Sequence, residues 1–260
     1  MKSFFPKKKL GQNFLVNKRI AIAEAVHASG KNVLEIGPGY GILTEELCKR
    51  AGHVVAVEKD HFLWSMLSAK MKSRNLELVE GDFFEVEKSL NLSEINIVIS
   101  NIPYNLSSKT IEWLSYRKKE AVLCMQKEFV EHMLASKGSK KYSRLSVYAQ
   151  LSFSMTKIID VKRGNFRPVP KVDSAIVYMK PKENAPSEEE LKIIGLLMQH
   201  KKKELKNAIV DSSKQLGISK ERAQELAEKF EKKNERIFKM SPEELLEEAR
   251  HLIGLLKKSS

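Results

Sequence analysis

Short apolar runs alternate, along the first half of the chain, with segments in which apolar residues recur every three to four positions. The runs predict strands and the segments between them predict helices, and this alternation indicates a parallel sheet with crossover helices. Two later runs follow one another with no long helix between them, which predicts an antiparallel strand at the sheet edge. The predicted strands are 32–36, 54–58, 76–80, 95–100, 121–126, 155–161 and 174–178, and the predicted helices are 44–50, 61–72 and 107–116.

The last part of the chain has only helical patterns. Ser187 and Ser241 are each followed three residues later by glutamate, the spacing of a capping box at a helix start. Ser219 predicts a further helix start, with the helix running to residue 230. The segment 181–186 holds two prolines and predicts a linker. We therefore expect an α/β domain over 1–182 and a small all-α domain over 187–260.

The composition is that of a folded chain. Of the 260 residues, 42% are apolar and 30% are charged, which excludes intrinsic disorder. Two cysteines can form neither a disulfide framework nor a four-thiolate zinc site, so we expect a reducing compartment. No apolar run reaches the ~18 residues of a membrane span, and no apolar stretch of a secretory signal follows the basic N-terminus. We expect a cytoplasmic protein with no membrane partner.

The charge of the chain is strongly basic and unevenly distributed. Lys and Arg number 46 against 33 Asp and Glu, a net charge of +13 that favours a polyanionic partner. Residues 1–186 hold 30 basic and 19 acidic side chains, whereas 187–260 hold 16 and 14. The stretches 1–20 and 132–159 contain no acid at all. Lysine-rich stretches are often ordinary solvated faces, but two of them in one domain favour a surface that faces phosphates.

Three glycines, Gly37, Gly39 and Gly41, follow the first predicted strand, where they let the backbone approach a ligand closely. The dinucleotide-binding fingerprint would need its third glycine where Ile42 stands, so pyrophosphate binding is disfavoured. The Gly-x-Gly-x-Gly spacing instead resembles the turn of class I methyltransferases, which holds S-adenosylmethionine. We therefore expect a class I, Rossmann-like methyltransferase sheet.

Acidic residues follow the next two strands. Glu58 ends the second strand, where a carboxylate can accept both hydroxyl hydrogens of a ribose. Asp82 and Phe83 follow the third strand, where the carboxylate can accept from an adenine amino group and the ring can pack on the base. Asp82 is equally suited to cap a turn or a helix, and the two roles do not exclude each other.

The most specific motif, Asn101-Ile102-Pro103-Tyr104, follows the fourth strand. Sequences of this type are typical of methyltransferases that modify exocyclic amino nitrogens, whose lone pair is delocalised into the ring. The Asn101 side-chain oxygen and the Ile102 carbonyl can each accept one amino hydrogen, which favours a pyramidal nitrogen facing the methyl donor. Pro103 makes the turn rigid, and Tyr104 can stack on the base, worth about 1–3 kcal/mol.

Four motifs within about residues 1–180, and the order in which they follow one another, resemble the KsgA-type small-subunit ribosomal RNA adenine dimethyltransferases. Ile102, where many bacterial members have leucine, resembles the archaeal or eukaryotic type. The motifs are Lys9–Leu15, Leu34–Thr44, Asn101–Ser108 and Asn165–Ser174.

The resemblance implies a role for each matching residue. Gln12, Asn13 and Leu15 would close over the methionine end of S-adenosylmethionine, which Gly37 and Gly39 would contact through the backbone. Glu58 would hold the ribose, and Asp82 with Phe83 the adenine of the cofactor. Asn101 would orient the target amino group, and Tyr104 and Phe166 would sandwich the flipped target adenine.

The resemblance also implies the substrate, namely two adjacent adenosines in a hairpin near the 3′ end of small-subunit rRNA, each dimethylated at N6. Such bases must be splayed out of the stack to reach a pocket. We expect the RNA to be recognised within a pre-assembled small subunit, by a monomer, with no metal. The alternatives are an Erm-type large-subunit rRNA methyltransferase, a DNA adenine methyltransferase, and a non-catalytic ribosome-assembly or RNA-binding factor.

Overall fold

The computed structural model describes residues 12–258. Packing divides the chain into two compact units, of which the first consists of the residues up to Thr110 together with Lys119–Val130 and Met155–Lys180. The second consists of Ile111–Lys118, Glu131–Ser154 and the residues from Pro181 onward. The boundary that the linker predicts between 182 and 187 stays a prediction.

A seven-stranded mixed sheet forms the centre of the first unit. Numbered along the chain, its strands are β2 (Asn32–Ile36), β3 (His53–Glu58), β4 (Leu76–Glu80), β5 (Ile97–Ser100), β6 (Glu120–Gln126), β7 (Phe153–Val161) and β9 (Ser174–Pro181). They lie in the order β4-β3-β2-β5-β6-β9-β7. Pairing is parallel from β4 to β6 and antiparallel between β6 and β9. The predicted fold class is confirmed, including its antiparallel strand.

Helices and a second, two-stranded sheet complete the elements that carry the site. The short strands β1 (Phe14–Leu15) and β8 (Phe166–Arg167) pair antiparallel with each other. Apolar side chains from the sheet and from the flanking helices form the core of this unit. The helices are α1 (Lys18–Ala25), α2 (Ile42–Cys48), α3 (His61–Lys70), α4 (Phe83–Val86), α5 (Ser107–Arg117) and α6 (Lys127–Met133).

The second unit is helical. Its core joins side chains of α7, among them Tyr148 and Leu151, to those of the C-terminal helices. The capping boxes at Ser187 and Ser241 are present, and Ser219 caps α11 as predicted. The helices are α7 (Arg144–Ser152), α8 (Glu188–Gln199), α9 (Leu205–Asp211), α10 (Ser213–Leu216), α11 (Lys220–Ala227) and α12 (Pro242–Lys257).

The stretch 132–159 contains no acidic residue, but carboxylates from other segments lie beside its basic side chains. Four of its five basic side chains pair with acids from outside the stretch, and among the described residues only Lys140 lacks such a partner. Such exposed pairs are weak, so the phosphate-facing surface stays a prediction. The basic residues Lys7–Lys9 lie outside the described residues. The pairs are Lys137–Glu244, Lys141–Glu131, Arg144–Glu112 and Lys157–Asp160.

Candidate active site

The carboxyl ends of β2, β3, β4 and β5 meet at one edge of the sheet, because these four strands are parallel neighbours. In open α/β sheets this is the edge where ligands bind. The segments that follow the four strands line a cleft. Among the residues predicted to bind cofactor or to catalyse, the cleft is lined by Gln12, Asn13, Gly37, Gly39, Glu58, Asp82, Phe83, Asn101, Ile102, Pro103 and Tyr104.

The glycine turn requires glycine for two separate reasons at Gly39. The backbone there has a φ of +59°, in the left-handed region that other residues adopt at a cost of about 1–2 kcal/mol. A Cβ at this position would also lie 2.7 Å from a ring carbon of Phe14, well inside van der Waals contact. The turn therefore presents its backbone to the cleft with no side chain in between.

Glu58 is tied to the glycine turn. The side chain is buried, its Oε2 accepts the N–H of Gly39 at 3.0 Å, and its Oε1 accepts the N–H of Asp60 at 2.8 Å. Burial raises the pKa of Glu58, and the two backbone hydrogen bonds oppose that effect. Each carboxyl oxygen has a second lone pair, so both can still accept a hydroxyl hydrogen. This geometry fits the ribose-binding role that the sequence predicts.

Asp82 caps a helix and faces the cleft at the same time. Its Oδ1 accepts the N–H of Phe84 at the start of α4, and its Oδ2 accepts from Nζ of Lys59 at 2.7 Å. Burial raises the pKa of Asp82, but these hydrogen bonds outweigh it and hold the pKa below its usual value. Asp82 is therefore an anion at neutral pH. Phe83 beside it is buried and gives the cleft an apolar wall.

Asn101 directly follows β5, and the nitrogen and the oxygen of its side-chain amide differ in their hydrogen bonding. The Nδ2 donates to Oε2 of Glu24, in α1, at 3.1 Å. The Oδ1 is buried and has no hydrogen-bond partner in the part of the chain that the structure describes. An acceptor left unpaired in a buried site costs about 1–3 kcal/mol, which a donor arriving in the cleft would recover. The remaining amide atom is thus the oxygen that the sequence analysis assigned to the target amino group.

Two buried carboxyl groups, Glu24 and Glu35, lie beneath this part of the cleft. Burial, with a smaller contribution from the charge of Glu58, raises the pKa of Glu35 to about 8. Burial also raises the pKa of Glu24 well above its usual value, with a further contribution from Glu35, against the opposing hydrogen bond from Asn101. Glu35 therefore keeps its proton near neutral pH, and the pKa of Glu24 is shifted in the same direction.

The turn after Asn101 is held in place by packing and by one hydrogen bond. Ile102 is 2% exposed, and Pro103 lies against the glycine turn, 3.4 Å from where a Cβ of Gly37 would stand. The hydroxyl oxygens of Tyr104 and Ser174 are 2.8 Å apart, and burial raises the pKa of the Tyr104 phenol. Tyr104 is thus fixed as a neutral ring at the edge of the cleft.

Two predicted site residues do not line the cleft. Leu15, in β1, is buried and lines a smaller neighbouring cavity together with Asn101. Phe166, in β8, is 2% exposed and packs in the core of the first unit. A sandwich of the target base between Tyr104 and Phe166 requires the Phe166 ring to leave this packing, and it stays a prediction.

The sequence analysis gave no role to several residues at or beside the cleft, among them Glu24, Phe14 and Lys59. Glu24 is the most important, and its signal is an acid on the apolar face of α1, where Ala21 and Ala25 are also fully buried. Phe14 and Lys59 line the cleft as well. Phe14 lies within the motif Lys9–Leu15 but was assigned no role there, and Lys59 gave no signal because a lysine is common at the end of a strand.

Residues 12–258 hold neither a cluster of metal ligands nor a membrane-spanning helix. No three His, Cys, Asp or Glu side chains lie close enough together there to hold a metal ion. No helix in that range has both the length and the apolar character that crossing a bilayer requires.

The groups around the cleft fit S-adenosylmethionine. The exposed backbone of the glycine turn, the carboxyl of Glu58 and the apolar wall at Phe83 suit the methionine, ribose and adenine parts of the cofactor. The strand order with an antiparallel strand next to β6 and the Asn-Ile-Pro-Tyr turn after β5 complete the arrangement. Together they define a class I S-adenosylmethionine-dependent methyltransferase.

The family follows from the match of nearly the whole chain. Residues 4–253 match the family described as ribosomal RNA adenine dimethylase. The chain therefore belongs to the ribosomal RNA adenine dimethylase family, and the resemblance found in its motifs is confirmed. Its substrate class is rRNA, and its methyl donor is S-adenosylmethionine.

Curated relatives cover most of the chain and come from archaea. The protein of Thermococcus kodakarensis is 40% identical over 253 residues, which cover 93% of this chain and 88% of the relative. That of Methanopyrus kandleri is 38% identical over 258 residues, 93% and 90% of the two chains. Both are named probable ribosomal RNA small subunit methyltransferase A.

Two solved structures resemble the whole chain. A dimethyladenosine transferase from Plasmodium falciparum superimposes with a TM-score of 0.73 at 29% identity, covering 95% of this chain and 98% of its own. The 23S rRNA methyltransferase ErmE gives a TM-score of 0.56 at 23% identity and covers 93% of this chain and 100% of its own. At that identity ErmE shows a shared fold alone, so the Erm-type alternative has the weaker support.

Proposed function

We propose that this protein transfers methyl groups from S-adenosylmethionine to N6 of two adjacent adenosines in the 3′-terminal hairpin of small-subunit rRNA. Its relatives are named as methyltransferases of the small subunit, which supports this substrate over large-subunit RNA. The observation that carries the proposal is the side chain of Asn101. It lines the cleft with its nitrogen engaged and its buried oxygen unpaired, as an acceptor for an amino hydrogen must be.

The residues of the turn act on the target nitrogen by alignment. Bound in the cleft, S-adenosylmethionine supplies an electrophilic methyl group on its sulfonium. Asn101 Oδ1 and the Ile102 carbonyl each accept one hydrogen of the amino group, so that the nitrogen lone pair points toward that methyl. No general base of tuned pKa is needed, because the proton can leave the nitrogen after transfer. Rate acceleration therefore comes from positioning and from fixed dipoles.

The remaining assignments follow from where each side chain lies. Glu58 accepts from the ribose hydroxyls, the backbone at Gly37 and Gly39 lies along the cofactor, and Asp82 with Phe83 holds its adenine. Tyr104 stacks on the target base, for which its neutral ring is suited. Gln12 and Asn13 close the methionine end, since both line the cleft.

The physical setting of the reaction is also part of the proposal. We infer that the protein acts as a monomer on RNA within a pre-assembled small subunit. A base in a stacked hairpin must be splayed out before it can reach the cleft. The surplus of basic side chains supports a partner rich in phosphate. The cytoplasmic location stays a prediction.

The test is incubation with labelled S-adenosylmethionine and under-methylated small subunits, followed by digestion and identification of the nucleosides. We expect N6,N6-dimethyladenosine, and a kcat about 100-fold lower or more for Asn101→Ala, since lost transition-state hydrogen bonds cost about this much. Asn184→Ala, which changes an exposed asparagine far along the chain, is the matched control and should be unaffected. Label in large-subunit RNA alone would instead favour the Erm-type activity, and no transfer to any RNA would favour the assembly-factor alternative.

A further inference from the structure

Glu24 is a buried acid that the proposed chemistry does not use. It lies in α1 with no exposed surface, and its neighbours on the same helix face are the buried alanines Ala21 and Ala25. Burying a carboxyl group costs free energy even when it is protonated, so an apolar residue would serve the packing better. The position is therefore explained only by what the carboxyl contacts.

Among the described residues, the Glu24 carboxyl has one hydrogen-bond partner, Asn101, whose Nδ2 donates to Oε2 at 3.1 Å. The other charged or titratable groups that face Glu24 are Glu35 in β2 and the buried thiol of Cys124 in β6. Neither of these neighbours holds the Asn101 amide, and no cation pairs with Glu24 in the described residues. The carboxyl of Glu24 is thus the group that fixes the orientation of the amide.

We propose that Glu24 is a positioning residue, which accepts an Asn101 N–H and so keeps the Asn101 oxygen directed to the target amino group. The contact works in either charge state, because a carboxylate and the carbonyl oxygen of a protonated carboxyl both accept. The opposite amide orientation would set the Asn101 N–H groups against the amino hydrogens of the target, donor against donor. This inference rests on the proposed function, since it assigns Glu24 a role in the same methyl transfer.

Two substitutions separate this role from packing. Glu24→Leu removes the acceptor but fills the apolar surroundings, whereas Glu24→Gln keeps the shape and one acceptor oxygen. Glu46→Gln is the matched control, because Glu46 is an equally buried acid in α2 that pairs with Lys49 and Arg50 and not with Asn101. The measurements are kcat, KM for S-adenosylmethionine and for subunits, cofactor affinity by calorimetry, and the temperature of unfolding.

We expect Glu24→Leu to lower kcat about 30- to 100-fold, the effect of a small misplacement of a reacting group. Its cofactor affinity and KM should stay within about threefold of wild type, because the other cleft residues are untouched. Glu24→Gln should keep kcat within about fivefold, since its carbonyl oxygen can still accept from Asn101. Glu46→Gln should unfold at a lower temperature and keep the wild-type kcat.

The outcomes distinguish this inference from the function on which it rests. An active wild-type protein with an unchanged kcat in Glu24→Leu would overturn the positioning role and leave the function standing. A loss of kcat in Glu24→Leu that is matched by lost cofactor affinity, or by unfolding earlier than Glu46→Gln, would show a packing role and also overturn it. A wild-type protein that methylates no RNA would remove both proposals together.

Discussion

At the scale of single residues, the same side chain behaves differently according to its surroundings. Glu35 and Glu46 are both 2% exposed, but burial without a cation raises the pKa of Glu35 to about 8. The hydrogen bonds from Lys49 and Arg50 lower the pKa of Glu46 to about 2, against the effect of burial. The sequence shows two glutamates, and only their neighbours decide which one is charged at neutral pH.

The raised pKa of Glu35 predicts a stability that falls as pH rises. An unfolded glutamate titrates near pH 4.3, so between about pH 4.3 and pH 8 the folded state holds a proton that the unfolded state has lost. Over this window Glu35 should lower the free energy of unfolding by up to about 1.4 kcal/mol per pH unit. We expect Glu35→Gln to be increasingly more stable than wild type from pH 5 to pH 8, measured by urea unfolding.

Glu46→Gln supplies the control of opposite sign. Because the folded pKa of Glu46 is lowered to about 2, its stabilisation is present above about pH 4.3 and is lost as pH falls to 2. The deficit of Glu46→Gln should therefore be constant from pH 5 to pH 8. A difference between Glu35→Gln and wild type that is equally flat over that range would contradict the assignment of a shifted pKa.

At the scale of elements, the glycine turn joins the sheet to the site. The backbone of the turn is in the left-handed region at Gly37, Gly39 and Gly41. The N–H of Gly39 donates a hydrogen bond to Glu58. The geometry of the turn thus couples the end of β2 to the end of β3. A substitution in this turn should therefore change the affinity for the cofactor more than the stability of the fold.

We expect Gly39→Ala to weaken the binding of S-adenosylmethionine by about 10-fold or more. The backbone strain costs about 1–2 kcal/mol, and the new methyl group would press on Phe14, which lines the same cleft. Gly30→Ala is the matched control, since Gly30 has a φ of +70° but nothing within 4 Å of the added Cβ. Calorimetric titration measures the affinity of both variants for S-adenosylmethionine, and Gly30→Ala should bind it like wild type. Equal affinities in the two variants would contradict the prediction that Gly39 is required for cofactor binding.

Elements with a strong internal pattern could be predicted from the sequence, and elements without one could not. The predicted bounds of β2 match those observed, because a buried parallel strand is a nearly continuous apolar run. The predicted bounds of β4 also match, although β4 is an edge strand in which no residue is buried and two of the five residues are glutamates. The strands β1 and β8 have two residues each, too few for any periodicity, and they exist because each pairs with the other. Glu24 was missed for a similar reason, since its partner Asn101 lies 77 positions away.

At the scale of the whole molecule, the net charge of +13 should appear as salt-dependent binding to RNA. Not every basic side chain is equally available for phosphates. Arg167 bonds to the backbone oxygens of Gly164 and Phe166 and has no carboxylate partner in the described residues. Lys137, in contrast, pairs with Glu244 at 2.9 Å.

We expect Arg167→Gln to reduce the slope of log K against log salt concentration by about 1, the loss of one phosphate contact. Lys137→Gln should reduce the slope by less than Arg167→Gln does, because Glu244 competes with a phosphate for that lysine. Filter binding to a small-subunit 3′-terminal hairpin at several salt concentrations measures both. Equal slopes for wild type and Arg167→Gln would place the phosphates elsewhere on the surface.

The sheet, the helical C-terminal part, the cofactor class and the Asn101–Tyr104 turn could be predicted from the amino-acid sequence alone, because each depends on contiguous residues. The physical cause of each of these features lies in residues that are close together in the sequence. This holds for the apolar runs, the capping boxes, the glycine turn and Asn101–Tyr104. Only the tertiary structure decided the charge of the buried acids, the partner of the Asn101 amide and the burial of Phe166. Those properties depend on side chains distant in the chain that folding brings together and shields from water, where a single hydrogen bond or its absence sets the chemistry.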